Sequence, residues 1–301
     1  MTVWVPYRLE GVLEPLASRQ KVLVWNGREE PRHDPAEVEF YVQPYTFATN
    51  TIDIISKMTS LRVVQTLTAG VDHIAPAVPD GVMIANARGV HDASTAELAL
   101  ALTLASQRNI DGFVRDQDDA NWSFDRYPSL ADRNVTIVGY GSIGQAIHRR
   151  LEPFEVDVTP VASTARDGVR GIAEILEILP SSEIVILVVP RTPETVGLVD
   201  EEFLAAMPDD SLLVNVARGV IVDTDALMAE EGRIRAALDV ADPEPLPPEH
   251  PLWSRTGTII TPHVGGNTNA FLPRALRLIR DQVTRWLDDE PIENVISGST
   301  T

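Results

Sequence analysis

Short apolar runs alternate along the chain with segments whose apolar residues recur at helical spacing, the pattern of parallel sheets covered by helices. Before residue 90 the predicted strands are Lys21–Trp25, Glu39–Gln43, Leu61–Leu67 and Val82–Asn86, with weaker helical stretches between them. Ser94-Thr95-Ala96-Glu97 reads as a capping box that opens an apolar helix, Leu98–Gln107. Asn121–Arg133 is a polar connector. From Asn134 the strands sharpen: Val135–Val138, Val156–Val161, Ile184–Val189, Leu212–Val216, Ala236–Val240 and Thr258–Ile260 are the runs of one doubly wound sheet. A last helical pattern, Phe271–Leu287, lies beyond that sheet and is expected to pack back on the first domain. The predicted class is therefore α/β, with a doubly wound parallel domain over 93–269 and a smaller α/β domain over 1–92 that segment 270–301 completes.

Gly139-Tyr140-Gly141-Ser142-Ile143-Gly144 fits G-x-G-x-x-G between a buried strand and a helix. That context turns a weak motif into a dinucleotide-binding (Rossmann) signal. Gly139 suits the tight turn, Gly141 the approach of a pyrophosphate, and Gly144 close packing of helix on strand. The Ser142 and Ile143 amides at the helix start would face the phosphates. An NAD-binding domain usually places an acid at the tip of the second strand, where it grips the ribose hydroxyls. Here the tip reads Ala162-Ser163-Thr164-Ala165-Arg166. Two hydroxyls and a guanidinium suit a 2′-phosphate, so NADP is the expected cofactor, with NAD still usable. An ordinary polar loop is the plainer reading of the same residues.

Three later motifs carry the chemistry. Arg218 follows the strand ending at Val216, Glu244 follows Ala237-Leu238-Asp239-Val240, and His263 follows Thr261-Pro262. All three emerge at the carboxyl edge of one sheet, where such folds bind ligands. The order of these segments resembles the D-isomer-specific 2-hydroxyacid dehydrogenase family over nearly the whole chain. Thr68-Ala69-Gly70-Val71-Asp72, Val189-Pro190-Arg191-Thr192-Pro193-Glu194-Thr195, Arg218-Gly219 through Val222-Asp223, and Pro262-His263-Val264-Gly265-Gly266 carry the resemblance. It implies a smaller flavodoxin-like substrate domain beside the cofactor domain, and Arg218, Glu244 and His263 as catalytic residues. Asp239 would face the nicotinamide amide, while Pro190, Thr195, Val216 and Gly266 would line the cofactor. One departure stands out: the stretch from Arg218 to Asp239 is shorter than in family members, with the loss around Met228–Arg235.

The chemistry of these residue types agrees. Arg218 can bridge the carboxylate and carbonyl of a 2-oxo acid with its planar fork of donors. His263 can deliver a proton, oriented by the Glu244 carboxylate. Substrate binding is expected to use Arg218, His263 and the amides of Ala69, Gly70 and Val71. Tyr45 and Phe47 are candidates for the side-chain pocket. Judged singly, His263 could merely end a strand, Arg218 could be a surface ion-pair partner and Glu244 a solvated loop acid. Among the other histidines, His33, His91 and His148 are expected at the surface, His73 in a structural role and His250 in packing beside the site. No spacing of His, Asp and Glu suggests a metal.

Charge changes the picture of partners. Against 44 acidic residues stand 25 basic ones, for a formal net charge of −19, and only Lys21 and Lys57 are lysines. Such a field repels nucleic acid and anionic membrane, so a small-molecule acid is the expected partner. The excess can serve solubility or adaptation to high salt, and the near absence of lysine favours salt. Cysteine is absent, which excludes disulfides and thiol catalysis. With no basic leader and no long apolar run, the expected location is the cytoplasm. Family members commonly form dimers through the cofactor domain, so a homodimer is expected. Two rival functions bear on the motifs. Formate dehydrogenases pair the histidine with glutamine, where this chain offers Glu244. Nucleotide-sensing corepressors of the same fold bind peptides without turnover.

Overall fold

The computed structural model describes all residues except Gln20, Phe47 and 298–301, so the Phe47 assignment lies outside the described residues. The chain divides into two compact units, one of Met1–His91 with Asn269–Thr301, the other of Asp92–Thr268.

In the first unit, β1 (Thr2–Val5), β2 (Val22–Val24), β3 (Val38–Val42), β4 (Val63–Gln65) and β5 (Met83–Ala85) are parallel in the order β2-β1-β3-β4-β5. That is the flavodoxin-like order. The strand Val295–Ser297 adds antiparallel to β5. Strand β1 was not expected from the sequence, since four residues ending at Pro6 give little pattern. Yet its Val3, Trp4 and Val5 are fully buried between β2 and β3. On one face of the sheet lie Trp4, Trp25 and Tyr41. On the other lies the helix Phe271–Leu287, which buries Ala275, Ile279, Gln282, Val283 and Trp286, the three-and-four spacing of a one-sided helix. Gln282 Nε2 donates to Gln65 Oε1 at 2.8 Å, so the one polar member of that stripe is satisfied inside the core.

The second unit holds β6 (Asn134–Val138), β7 (Asp157–Ala162), β8 (Arg170–Gly171), β9 (Ile184–Leu187), β10 (Leu212–Asn215), β11 (Arg235–Leu238) and β12 (Thr258–Ile260). All are parallel, in the order β8-β7-β6-β9-β10-β11-β12. The third strand of the doubly wound order is thus the two-residue β8, which the sequence reading missed because it is too short to leave a pattern. Central β9 is apolar throughout, and its neighbours β6 and β10 are largely so, because helices cover both faces.

Helix α1 runs Asp92–Gln107 and corrects the predicted capping box. The helix starts two residues earlier, with Asp92 supplying the acid of the first turn. Ser94 lies inside the helix, and its hydroxyl shares a 2.7 Å hydrogen bond with Thr268. Helix α2 (Ile110–Asp118) follows and leaves Ile110, Phe113 and Val114 exposed, as are Trp122 and Phe124 in the connector. Helix α3 (Ser142–Leu151) follows the glycine turn.

The stretch before β11 is held by two guanidinium groups. Buried Arg255 donates to Leu227 O and Ile234 O, and Arg233 donates to Leu204 O and Met207 O. Among the described residues no helix is long and apolar enough to cross a membrane.

Candidate active site

Parallel pairing brings the functional turns to one line. Val161, Val138, Leu187, Asn215, Leu238 and Ile260 are register partners across β7, β6, β9, β10, β11 and β12. Neighbouring strands lie about 4.8 Å apart, so the turns that follow these residues stand side by side along one edge. The glycine turn follows Val138, Arg218 stands three residues past Asn215, Asp239 directly follows Leu238, and His263 stands three past Ile260.

The glycine turn is fixed by contact. Gly139 adopts φ +106°, and a Cβ there would lie 2.5 Å from Val188 O. A Cβ on Gly144 would lie 2.1 Å from Gly139 O, so helix and turn touch backbone to backbone. At Gly141 a Cβ would meet nothing within 4 Å. The protein itself therefore requires Gly139 and Gly144, whereas at Gly141 the room is open for a ligand. Helix α3 begins there with no side-chain cap, leaving its first amides and the positive end of its dipole for an anion. A pyrophosphate fits this cradle. Ile143 is half-buried against the core, and the Ser142 hydroxyl donates to Asp92 Oδ1 at 3.1 Å.

Arg218 sits in extended backbone, with its carbonyl accepting from Asn215 Nδ2 at 2.9 Å. Its Nη1 donates to Ala217 O at 2.8 Å. At the next residue, Gly219, a Cβ would overlap Ala241 O at 1.9 Å. The arginine turn is thus packed on the segment that leads to Glu244. His263 Nδ1 and Glu244 Oε1 are 2.5 Å apart, and both side chains are more than a third exposed. The structure brings this pair together past the ends of β11 and β12, the two strands next in the sheet after the β10 that precedes Arg218.

Asp239 has a role that the sequence reading did not find. Its carboxylate is 3% exposed and accepts from Thr261 Oγ1 at 2.6 Å, Val264 N at 2.9 Å and Gly265 N at 2.8 Å. Its carbonyl accepts from His263 N at 2.7 Å. These bonds clasp the turn in which His263 adopts φ +54°, a conformation uncommon outside glycine. Three of about four acceptor positions are filled, which leaves room for one further donor. Thr-Pro-His after a strand, with an acid ending the strand beside it, was the available signal.

Beyond β7, Ala162 is half-buried and Ser163, Thr164 and Arg166 are exposed. Val216 is buried, and its amide donates to Leu187 O at 3.2 Å. Thr195 Oγ1 closes its own turn by donating to Pro190 O at 2.7 Å. Gly266 is half-buried beyond the histidine turn. In the first unit every carbonyl from Thr68 to Val71 is engaged: by Ala87 N and Thr66 Oγ1, Asn86 Nδ2, Thr68 Oγ1, and the amides of Ile74 and Ala75. What this loop can still offer a ligand is amide hydrogens. Tyr45 stacks on Phe271 at 4.4 Å.

Two histidines depart from expectation. His91 is buried, donates from Nε2 to Leu67 O at 2.8 Å and stacks on Phe271, because aromatic neighbours cover it. His148 is half-buried, and its Nδ1 meets Tyr140 OH at 2.5 Å. His33 is exposed, His73 pairs with Gln43, and His250 caps the turn at Leu252. Among the described residues no group of three or more His, Asp or Glu is placed to hold a metal.

Comparison with known proteins agrees with this geometry. The profile of the D-isomer specific 2-hydroxyacid dehydrogenase, NAD binding domain, matches residues 100–265. A glyoxylate reductase of Pyrococcus furiosus is 33% identical over 86% of this chain and 84% of its own. A D-3-phosphoglycerate dehydrogenase of Methanocaldococcus jannaschii is 32% identical over 82% of this chain, which spans 49% of that longer protein. A D-isomer specific 2-hydroxyacid dehydrogenase from Xanthobacter autotrophicus, solved in complex with NADPH and MES, superposes with a TM-score of 0.82 at 28% identity, covering 98% of each chain.

The clasp at Asp239 gives a test. In Asp239→Asn the oxygen can keep Thr261 and Val264, which turns the new NH2 against the Gly265 amide. A mismatch of that kind costs about 1–3 kcal/mol, and misplacing a reacting group costs about 100-fold in rate. The expected result is a fall in kcat of about 10- to 100-fold, with a drop in melting temperature of a few degrees that leaves the protein folded at the assay temperature. A native kcat would separate Asp239 from the histidine turn.

Proposed function

The chain belongs to the D-isomer-specific 2-hydroxyacid dehydrogenase family, and from that membership we propose that it interconverts 2-oxo acids and D-2-hydroxy acids with NADP(H), and with NAD(H) as the poorer cofactor. The observation that carries the reading is the Glu244–His263 pair, set on the same sheet edge as Arg218 and the glycine turn. Arg218 binds the substrate carboxylate and polarises the carbonyl through its planar guanidinium. In the first unit, the Ala69, Gly70 and Val71 amides are donors for a substrate carboxylate, since the carbonyls of that loop are already engaged. Because Nδ1 of His263 faces Glu244, proton delivery to the carbonyl oxygen belongs to Nε2. Glu244 fixes the ring and balances the imidazolium charge. The bound nicotinamide cofactor supplies the hydride. Gly139, Gly141, Ser142, Ile143 and Gly144 hold the pyrophosphate, and Pro190, Thr195, Val216 and Gly266 line the remainder. The last acceptor position of Asp239 takes the nicotinamide amide. Ser163, Thr164 and Arg166 take the 2′-phosphate.

The protein acts as a homodimer in the cytoplasm of a cell with a salty interior. Exposed Ile110, Val114, Trp122 and Phe124, all in the cofactor unit, support self-association. The net charge of −19 supports the salt reading.

Three outcomes are expected. His263→Ala lowers turnover of 2-oxo acid reduction by about two to four orders of magnitude while cofactor affinity holds. Near-native turnover in that variant, across a panel of 2-oxo acids, sinks the proton-donor assignment. Wild-type kcat/KM is higher with NADPH than with NADH, and Ala162→Asp reverses the order by repelling the 2′-phosphate. An NADH preference in the wild type rejects the cofactor reading. In molar salt, where the Debye length shrinks from about 10 Å to about 3 Å, melting temperature rises and sedimentation reports a dimer of the 33.0 kDa chain. A salt-independent melting curve, or a monomer, rejects the corresponding part.

A further inference from the structure

The stretch that follows β7 is a built element and not an open loop. Arg166 N donates to Val169 O at 3.0 Å and Val169 N donates back to Arg166 O at 2.8 Å, closing a tight hairpin around Asp167-Gly168. Gly168, the second central residue, takes φ +69°, the left-handed backbone that glycine adopts at no steric cost. The hairpin is anchored at both ends, because Arg170 and Gly171 leave it as β8 and pair with Val161 and Ala162 of β7. This fixes the point from which the Arg166 side chain departs.

The far end of that side chain is fixed as well. Arg166 Nη2 donates to Tyr140 O at 2.9 Å, and its guanidinium carbon lies 6.0 Å from the centre of the Tyr140 ring. Tyr140 is the residue between Gly139 and Gly141, so this contact ties the hairpin to the phosphate turn one strand away. The Tyr140 ring is itself held by the 2.5 Å hydrogen bond between its hydroxyl and His148 Nδ1 on α3. One of the five guanidinium N–H groups is used on the Tyr140 carbonyl, and the others remain for an anion.

We propose that Tyr140 is a specificity-positioning residue: its carbonyl and ring hold Arg166 beside the glycine turn, so that the 2′-phosphate of NADPH meets a cation already in place. The inference rests on the NADPH reading above and adds the group that makes the guanidinium effective. A free arginine must lose its rotamer freedom on binding, whereas one held at both ends has lost much of it beforehand. Ring and guanidinium attract through the quadrupole of the phenol face, and the attraction is sequence-specific to an aromatic residue at this position. Ala162, at the tip of β7, brings no carboxylate to compete for the arginine. A bare ribose hydroxyl gains little from this arrangement, so the effect separates the two cofactors.

The test compares kcat/KM for NADPH and NADH in wild type, Tyr140→Ala, Tyr140→Phe and Arg166→Ala, together with binding of adenosine 2′-phosphate and of adenosine. Tyr140→Ala is expected to cost NADPH and adenosine 2′-phosphate about three- to ten-fold more than NADH and adenosine. Tyr140→Phe, which keeps the ring and the carbonyl, is expected to retain most of the wild-type ratio. Should the alanine variant not fold, Tyr140→Leu keeps the bulk without the ring face and is expected to lose the ratio. If Tyr140→Ala lowers both cofactors by one common factor, the residue only supports the glycine turn and the proposal is overturned while NADPH preference stands. If the wild type prefers NADH, or Arg166→Ala keeps the NADPH preference, it is the cofactor reading that fails.

Discussion

The parallel register of the larger sheet is the constraint on which the rest depends. Six strands end on one line of partners from Val161 to Ile260, and every turn assigned a role in cofactor binding within that unit, or in catalysis, departs from that line or a few residues beyond it. A slip of one residue in any strand would exchange the side chains packed on its two buried faces and move its turn out of line. The interior of β9, β10 and β11 is apolar and buried throughout, so the register is enforced by packing. The glycines follow from the same compactness. Gly139 touches Val188, Gly144 touches Gly139, and Gly219 touches Ala241, each at a distance that no side chain could share. Glycine at these positions is a requirement of backbone packed on backbone.

On that edge the groups proposed to react are placed differently from the group that holds them. His263 and Glu244 remain more than a third exposed, where a substrate can reach them. Asp239, beside them, is almost fully buried and spends its carboxylate on a hydroxyl and two amides. A buried carboxylate is tolerable because it is hydrogen-bonded on both oxygens. The same bonds keep a non-glycine residue in left-handed backbone at His263, a conformation that needs surrounding support. The division sets a partly exposed His–Glu pair on a backbone that a buried carboxylate holds fixed.

What could be read from the sequence was what repeats or what is chemically rare. The glycine turn, the six longer strands of its sheet and the helix Phe271–Leu287 all left patterns of several residues. So did Arg218, Glu244 and His263, each placed just past such a strand. Features made by only a few residues were hidden. Thr2–Val5 is a central strand of four residues, and Arg170–Gly171 completes the doubly wound order with two. The start of α1 was misplaced because Ser94–Glu97 imitates a cap, whereas Asp92 already begins the helix. His91 and His148 were misjudged because burial of a lone histidine depends on its aromatic partner, far away in the chain for His91 (Phe271) and in the preceding turn for His148 (Tyr140). The Asp239 clasp left only a faint signal, since its side-chain and amide donors lie 22 to 26 residues further along.

The near absence of lysine has a structural side as well as an electrostatic one. Arg235 gathers Ser106 O, Gln107 Oε1 and Asp210 O, and Arg255 gathers Leu227 O, Ile234 O and Thr258 Oγ1. Burial lowers the pKa of both guanidiniums from the ordinary arginine value, yet they start so high that they stay charged. A lysine has three donors on a point charge and could not cap several carbonyls set apart in one plane. In a chain with 44 acids and 25 bases, each cation that serves structure is one fewer to neutralise the surface. The fork makes that use efficient, since one arginine satisfies three acceptors. In the proposed function the same planar geometry would serve a 2-oxo acid's carboxylate at Arg218 and a 2′-phosphate at Arg166. One side-chain type would then serve packing, substrate and cofactor for a single reason: it presents fixed, parallel donors that remain charged when partly buried.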